Sequence, residues 1–148
     1  MNGFRSMSSL RLHLVSAVLF GALALGSGSG CRASQQAQLN VLSVEKSAAP
    51  DRAMVVYVEV VNRAQRPMRL QRLQYTFAAA GGTRSQPVEL ELGRRLVEAG
   101  SAVVVEVPLS VADAALGPTL TLAGKLWAEQ DEIVRSFAVS ADVEPPAP

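Results

Sequence analysis

Between Leu39 and Val143 apolar and polar residues alternate with a period of two, which is the pattern of half-buried strands. The rhythm starts in Leu39–Glu45. It continues through the β-branched run Met54-Val55-Val56-Tyr57-Val58-Glu59-Val60-Val61, which predicts a central strand. Leu73, Tyr75 and Phe77 alternate with Gln74 and Thr76, and Val88, Leu90 and Leu92 alternate with Glu89 and Glu91. Val103, Val105, Val107 and Leu109 form a further run, followed by Leu120–Trp127 and Ile133–Val143. Turn formers separate the runs: Ala49-Pro50-Asp51, Arg66-Pro67, Gly81-Gly82, Gly93, Gly100-Ser101 and Gly117-Pro118. Glu129-Gln130-Asp131 reads as a polar hairpin tip. Ser110–Leu116 reads as one helical turn capped by Ser110, with Asp113 near its positive end. About seven strands punctuated in this way predict an all-β chain, a sandwich of the immunoglobulin or fibronectin type III kind.

Pro67–Ala80 fits two patterns. Leu70, Leu73, Phe77 and Ala80 would share one face of a helix, with Pro67 at a permitted first position. The strand is preferred, because Leu73–Phe77 is rich in β formers and a glycine turn follows at once; the phase slip between Leu70 and Leu73 then requires a bulge. Gly124 inside a strand run points to a bulge or a close backbone approach. Trp127 continues the alternation and is expected in the core with Tyr57, Tyr75, Phe77 and Phe137. Glu144-Pro145-Pro146-Ala147-Pro148 cannot extend a ladder and is expected as a tail.

The first 30 residues follow a different rule. Arg5 and Arg11 precede the apolar run Leu14–Leu25, which gives way to Gly26-Ser27-Gly28-Ser29-Gly30 and then Cys31. The run is shorter than the roughly 20 residues that cross a bilayer, so 1–30 reads as a secretory signal peptide. Cys31, the sole cysteine, stands where bacterial lipoproteins carry the lipidated residue. The lipobox is imperfect, with Gly28 where leucine is preferred and the nearest leucine at Leu25; cleavage nearby without lipidation is the plainer alternative. Lipidation of Cys31 would anchor the chain, each buried CH₂ adding about 0.8 kcal/mol of membrane affinity. No Asp follows Cys31, which by analogy favours the outer membrane, periplasmic side, if the cell has one. The expected organisation is a signal peptide at 1–30, a tether at 31–38, a sandwich at 39–143 and a Pro-rich tail at 144–148.

Composition narrows the chemistry. The 148 residues carry 14 Lys and Arg against 13 Asp and Glu, which gives no global reason to expect nucleic acid as a partner. His13, the sole histidine, lies within the signal segment, so the chain from Cys31 onward has none. Neither a disulfide framework nor a Cys/His zinc cluster fits within one chain.

Several blocks together carry a family resemblance. They are Val55-Val56-Tyr57-Val58-Glu59-Val60-Val61-Asn62, Arg66-Pro67-Met68-Arg69-Leu70, Leu73-Gln74-Tyr75, Gly81-Gly82, Val107-Pro108-Leu109 and Leu122-Ala123-Gly124-Lys125-Leu126. The chain from Leu39 to Val143 resembles the late embryogenesis abundant (LEA) type 2 family, also called the water stress and hypersensitive response (WHy) domain. Of that family's Asn-Pro-Asn motif only Asn62 matches; Arg63 and Ala64 depart from it. The resemblance implies a fibronectin-like sandwich, no catalytic residues, and a protective or binding role under desiccation and other stress.

Local chemistry is weighed against that expectation. Serine catalysis needs a base, and the candidates reduce to Lys46, flanked by Ser43 and Ser47, and Lys125; no S-x-x-K motif is present. Glu89 and Glu91 would face the same side of a strand, but the side opposite Val88, Leu90 and Leu92 is the solvent side. Glu129, Asp131 and Glu132 lack the glycine and spacing of a calcium loop. Arg63, Arg66, Arg69 and Arg72 recur every third residue and, with Arg84, Arg94 and Arg95, suggest a basic patch for the phosphates of lipid or lipopolysaccharide. A spacing of three alternates faces of a strand, so dispersed surface charge is the expectation. Asn62 is expected to shape a turn, and Gly81-Gly82 is a turn rather than a phosphate loop. The sequence thus predicts no catalytic residue, metal or cofactor. It predicts a lipid-anchored envelope protein that meets client or envelope proteins at the membrane. The alternative is an accessory lipoprotein docking one fixed partner in an envelope or secretion complex.

Overall fold

A computed structural model describes residues 36–48 and 54–145. The segment expected as a signal peptide, Cys31 and most of the expected tether lie outside the described residues, as do residues 146–148. Eight strands and one short helix follow in order: β1 (Ala37–Lys46), β2 (Met54–Asn62), β3 (Met68–Ala79), β4 (Val88–Glu91), β5 (Leu96–Val97), β6 (Ala102–Leu109), α1 (Val111–Ala114), β7 (Leu120–Gln130) and β8 (Ile133–Val143). The seven expected strands are present, and the two-residue β5 is the eighth. β1 begins at Ala37, two residues inside the segment expected as a tether.

Two antiparallel sheets form the sandwich. One has the order β1-β2-β6; the other has β4-β3-β7-β8, with β5 continuing the β4 edge of β3. This is the three-plus-four layout of a fibronectin-like sandwich. Val56, Val58 and Val60 from β2 face Leu73, Tyr75 and Phe77, which the alternation picked out on β3, and Leu122 and Leu126 of β7, all buried. Tyr75 and Phe77 pack edge to face, with ring centroids 5.6 Å apart. The Tyr75 hydroxyl crosses the core to donate to the Pro108 carbonyl at 3.1 Å.

Residues 68–79 are a strand. The register of β3 against β7 shifts between Leu70 and Arg72, so Met68 and Leu70 point inward before the bulge and Leu73, Tyr75 and Phe77 after it. Without that extra residue one of the two sets would face solvent. A second shift, between Val41 and Ser43, leaves Leu42 exposed on edge strand β1. Ser110 caps α1 as expected, its hydroxyl accepting from the Asp113 N–H at 3.1 Å.

Three expected positions are corrected. Trp127 is not a core residue: Leu126 and Ala128 point inward, and Trp127 stands half-buried on the outer face. There the Arg72 guanidinium covers it, 4.5 Å from the ring centroid. The register is the cause, since Leu120, Leu122 and Leu126 set the even positions of β7 inward. Gln130 does not belong to the hairpin tip. The turn is Asp131-Glu132 alone, both in the left-handed region at φ 50° and 62°, the geometry of a tight two-residue hairpin. Gln130 is therefore the last inward residue of β7 and is buried. Tyr57 likewise lies on the outer face of its sheet, between the buried Val56 and Val58.

Candidate functional site

The expected site residues scatter. Glu89 and Glu91 sit on β4 opposite Gln74 and Arg72, both exposed; Glu89 accepts from Arg72 at 3.5 Å. Glu129, Asp131 and Glu132 do not converge. Glu129 faces Arg94 at 3.8 Å and accepts from Gln71, while Asp131 pairs with Arg66. Among the described residues no group of three or more acidic, His or Cys side chains is gathered for a metal. Ser43 donates to Glu45 at 3.4 Å, and Lys46 pairs in register with Met54. Gly82 is a turn residue, at φ 87°. Cys31 lies outside the described residues.

The arginines separate as a spacing of three requires. Arg72 covers Trp127, and Arg95 donates to the Val104 carbonyl at 2.8 Å. Arg84 stands apart, in a shallow pocket with Gln74, Thr76 and Lys125. Arg63 and Arg66 do meet, in the short connection between β2 and β3. Arg135 of β8 joins them from about seventy positions further along the chain. With Gln36, Gln130 and Asp131 these arginines line a pocket of about 580 Å³. Sequence spacing could not bring Arg135 into this group, because only the β7–β8 hairpin sets it beside the β2–β3 connection.

Asn62 closes the same end from beneath. It is fully buried, and its amide donates to the carbonyls of Arg66 at 2.8 Å, Val97 at 3.0 Å and Glu98 at 3.2 Å. Its side-chain oxygen accepts from the Ala64 N–H at 2.9 Å, the turn-shaping contact expected of it.

A second concavity flanks the sandwich. β6 pairs with β2 along its length and with no other described strand, so its far edge is open. Between that edge and the Leu90–Arg95 segment runs a cleft of about 510 Å³, lined by Tyr57, Leu90, Leu92, Val104, Val105 and Pro108, with Glu91, Arg95 and Glu106 as its charged members.

This layout has a solved counterpart. The structural-genomics target SoR45 superposes with a TM-score of 0.54 at 12% identity, over 75% of this chain and 88% of that one. The two chains share a fold. The solution structure of a protein named as a candidate LEA protein aligns at 12% identity with a TM-score of 0.44, covering 80% of this chain and 76% of its own. A solution structure from Arabidopsis thaliana aligns at 15% identity with a TM-score of 0.41, over 72% and 80%. No protein-family model and no curated protein matches the chain. At 12% identity the likeness to SoR45 is one of fold alone.

Proposed function

We propose that this is a non-catalytic, lipid-anchored envelope protein whose LEA type 2-like domain binds and shields partly unfolded client chains under desiccation and related stress. The observation that carries the proposal is the open edge of β6 above the cleft. Apart from the Val104 carbonyl, taken by Arg95, and the Pro108 carbonyl, taken by Tyr75, that edge leaves backbone groups for an extended segment, and adjacent apolar side chains take its alternate residues. Leu90, Leu92, Val105 and Pro108 supply that apolar lining, and Val104 stands exposed at the edge. Pro108 and the Arg95 contact to Val104 interrupt the edge, so the stretch open to an extended segment is short. The resemblance of several residue blocks to the LEA type 2 family supports the stress role.

Two measurements test the two halves. Freeze–thaw recovery of a client enzyme should be higher with this protein than with equal albumin, and Val104→Glu should reduce it. Recovery no better than with albumin sinks the client proposal. The anchor is tested by mass: protein recovered from envelope membranes should begin at Cys31 and carry diacylglycerol, and Cys31→Ala should abolish both. A chain cut elsewhere and free of lipid overturns the anchor and leaves client binding to be tested in free solution.

A further inference from the structure

The edge of β6 is not open along its whole length. Alternate residues of an edge strand turn both backbone groups away from the partner strand. The Ser101 carbonyl accepts from the Asn62 N–H across the ladder, so the outward residues of β6 are Ala102, Val104, Glu106 and Pro108. Pro108 has no N–H, and its carbonyl accepts from the Tyr75 hydroxyl at 3.1 Å. Tyr75 is a core residue, 2% exposed, so that cap is fixed. The Val104 carbonyl accepts from the Arg95 guanidinium at 2.8 Å. Val104 is the middle of the three remaining positions. This one contact therefore splits the rest of the edge, with Ala102 on one side and Glu106 on the other.

Its own turn places Arg95 there. Gly93 and Arg94 are both left-handed, at φ 64° and 54°, a conformation uncommon for a residue that carries a Cβ, as Arg94 does. Directly after that turn the Arg95 carbonyl accepts from the Leu70 N–H at 2.8 Å. The Arg95 backbone is thereby held on β3 while its side chain spans to the other sheet. That side chain is exposed and forms no ion pair among the described residues. Glu91 and Glu106 line the same cleft, and neither is in an ion pair among the described residues. A guanidinium that leaves Val104 therefore has carboxylates in the cleft to meet.

We infer that Arg95 is a releasable cap on the β6 edge. Bound to Val104 it closes the edge to an extended segment; moved onto the cleft carboxylates it opens Ala102–Glu106 as one pairing stretch. The inference rests on β6 being the edge that takes the client, as proposed above. A segment laid along that edge must place an N–H where the guanidinium now lies, so segment and cap compete for one carbonyl. Such competition lowers the apparent affinity by the fraction of chains in which the cap is off. The reduction falls on every segment alike. A segment that also buries apolar side chains on Leu90, Leu92 and Pro108 offsets it, whereas a polar one has only backbone hydrogen bonds to exchange for that of Arg95. The cap thus sets the affinity that a segment must reach, and exposed apolar chain reaches it most readily.

Fluorescence anisotropy of a rhodamine-labelled peptide of alternating valine and serine, titrated with the purified full-length chain, tests the cap. Arg95→Met keeps an unbranched side chain and removes the donor. It should bind the peptide about fivefold more tightly than the unaltered chain, or better. Arg84→Met removes the same charge in a different pocket and should bind as the unaltered chain does. Both substitutions are at exposed positions, so thermal midpoints should stay close to that of the unaltered chain. Equal or weaker binding by Arg95→Met overturns the cap. Where the unaltered chain binds the peptide and Val104→Glu does not, that result leaves the client proposal standing. Tightening by Arg84→Met as large as that by Arg95→Met also overturns the cap, since the effect is then one of net charge. Binding by Arg95→Met alone supports the cap and overturns the client proposal for the unaltered chain. Binding by neither chain overturns both.

Discussion

Gly124→Ala should cost about 3 kcal/mol or more of stability, at the upper end of what overpacking usually costs. Gly124 lies in register with Tyr75 of β3 and Val139 of β8, midway along the longest ladder of the larger sheet. A Cβ there would overlap the Gln74 carbonyl oxygen, and would stand 2.9 Å from the Tyr75 Cα and 3.0 Å from the Gln74 carbonyl carbon. All three are backbone atoms, so no rotamer change relieves the clash; β3 and β7 must separate or slip. Either motion disturbs Tyr75 and Phe77, on which both sheets close. A domain with roughly 5–15 kcal/mol in hand loses a large share of it in one step. Urea unfolding checks the effect, which should appear as a lower midpoint at an unchanged slope. Gly117→Ala is the contrast, since its nearest neighbours would be 3.8 Å and 3.9 Å away in ordinary contact. That variant should be close to neutral. Equal stability of the two would show that the strands do not approach as closely at Gly124 as described.

The same glycine illustrates what the sequence could and could not disclose. A lone glycine in a β-rich run signals a close approach, but not which strand approaches. The preference for strand over helix at 67–80 was legible because Leu73, Tyr75 and Phe77 obey period two, and the phase slip before them is a bulge. What stayed hidden is what depends on partners distant in the chain. Trp127 looks like a core residue by composition; only the register of β7 turns it outward under Arg72. Gln130 looks like a turn residue; only the two left-handed turn residues after it leave it in the strand and buried. Arg135 sits within the exposed stretch Ile133–Ser136 of β8, which shows no alternation to read, until the β7–β8 hairpin sets it in one pocket with Arg63 and Arg66. The core could be read from local alternation, whereas the pocket arises from long-range pairing that alternation does not encode.

Asn62→Ala should be nearly as damaging as the change at Gly124, about 3 kcal/mol, and for a different reason. Asn62 packs no large surface; it supplies hydrogen bonds where no strand can. Its amide serves the carbonyls of Arg66, Val97 and Glu98, its side-chain oxygen serves the Ala64 N–H, and its backbone pairs with Ser101 and Gly100. One side chain thereby ties the β2–β3 connection to the turn between β5 and β6, joining the two sheets at the pocket end. Removing it leaves the Val97 carbonyl without that donor in a buried position, and an orphaned buried group costs about 1–3 kcal/mol. The remaining lost bonds add to that cost. Asn62→Asp separates hydrogen bonding from packing. It keeps the size and the acceptor for Ala64 but turns an acceptor toward carbonyl oxygens. Burial raises the folded-state pKa of such a carboxyl above its unfolded value of about 3.9. Below that value both states are protonated and the acid can still donate. As pH rises through the folded-state pKa the carboxyl ionises in place, and the stability is lost. The Asp variant should therefore be less stable than Asn62→Ala at pH 7 and approach or exceed it near pH 4, read from thermal midpoints across that range. A gap between the two variants that does not change with pH would mean that the position is held by shape rather than by its hydrogen bonds.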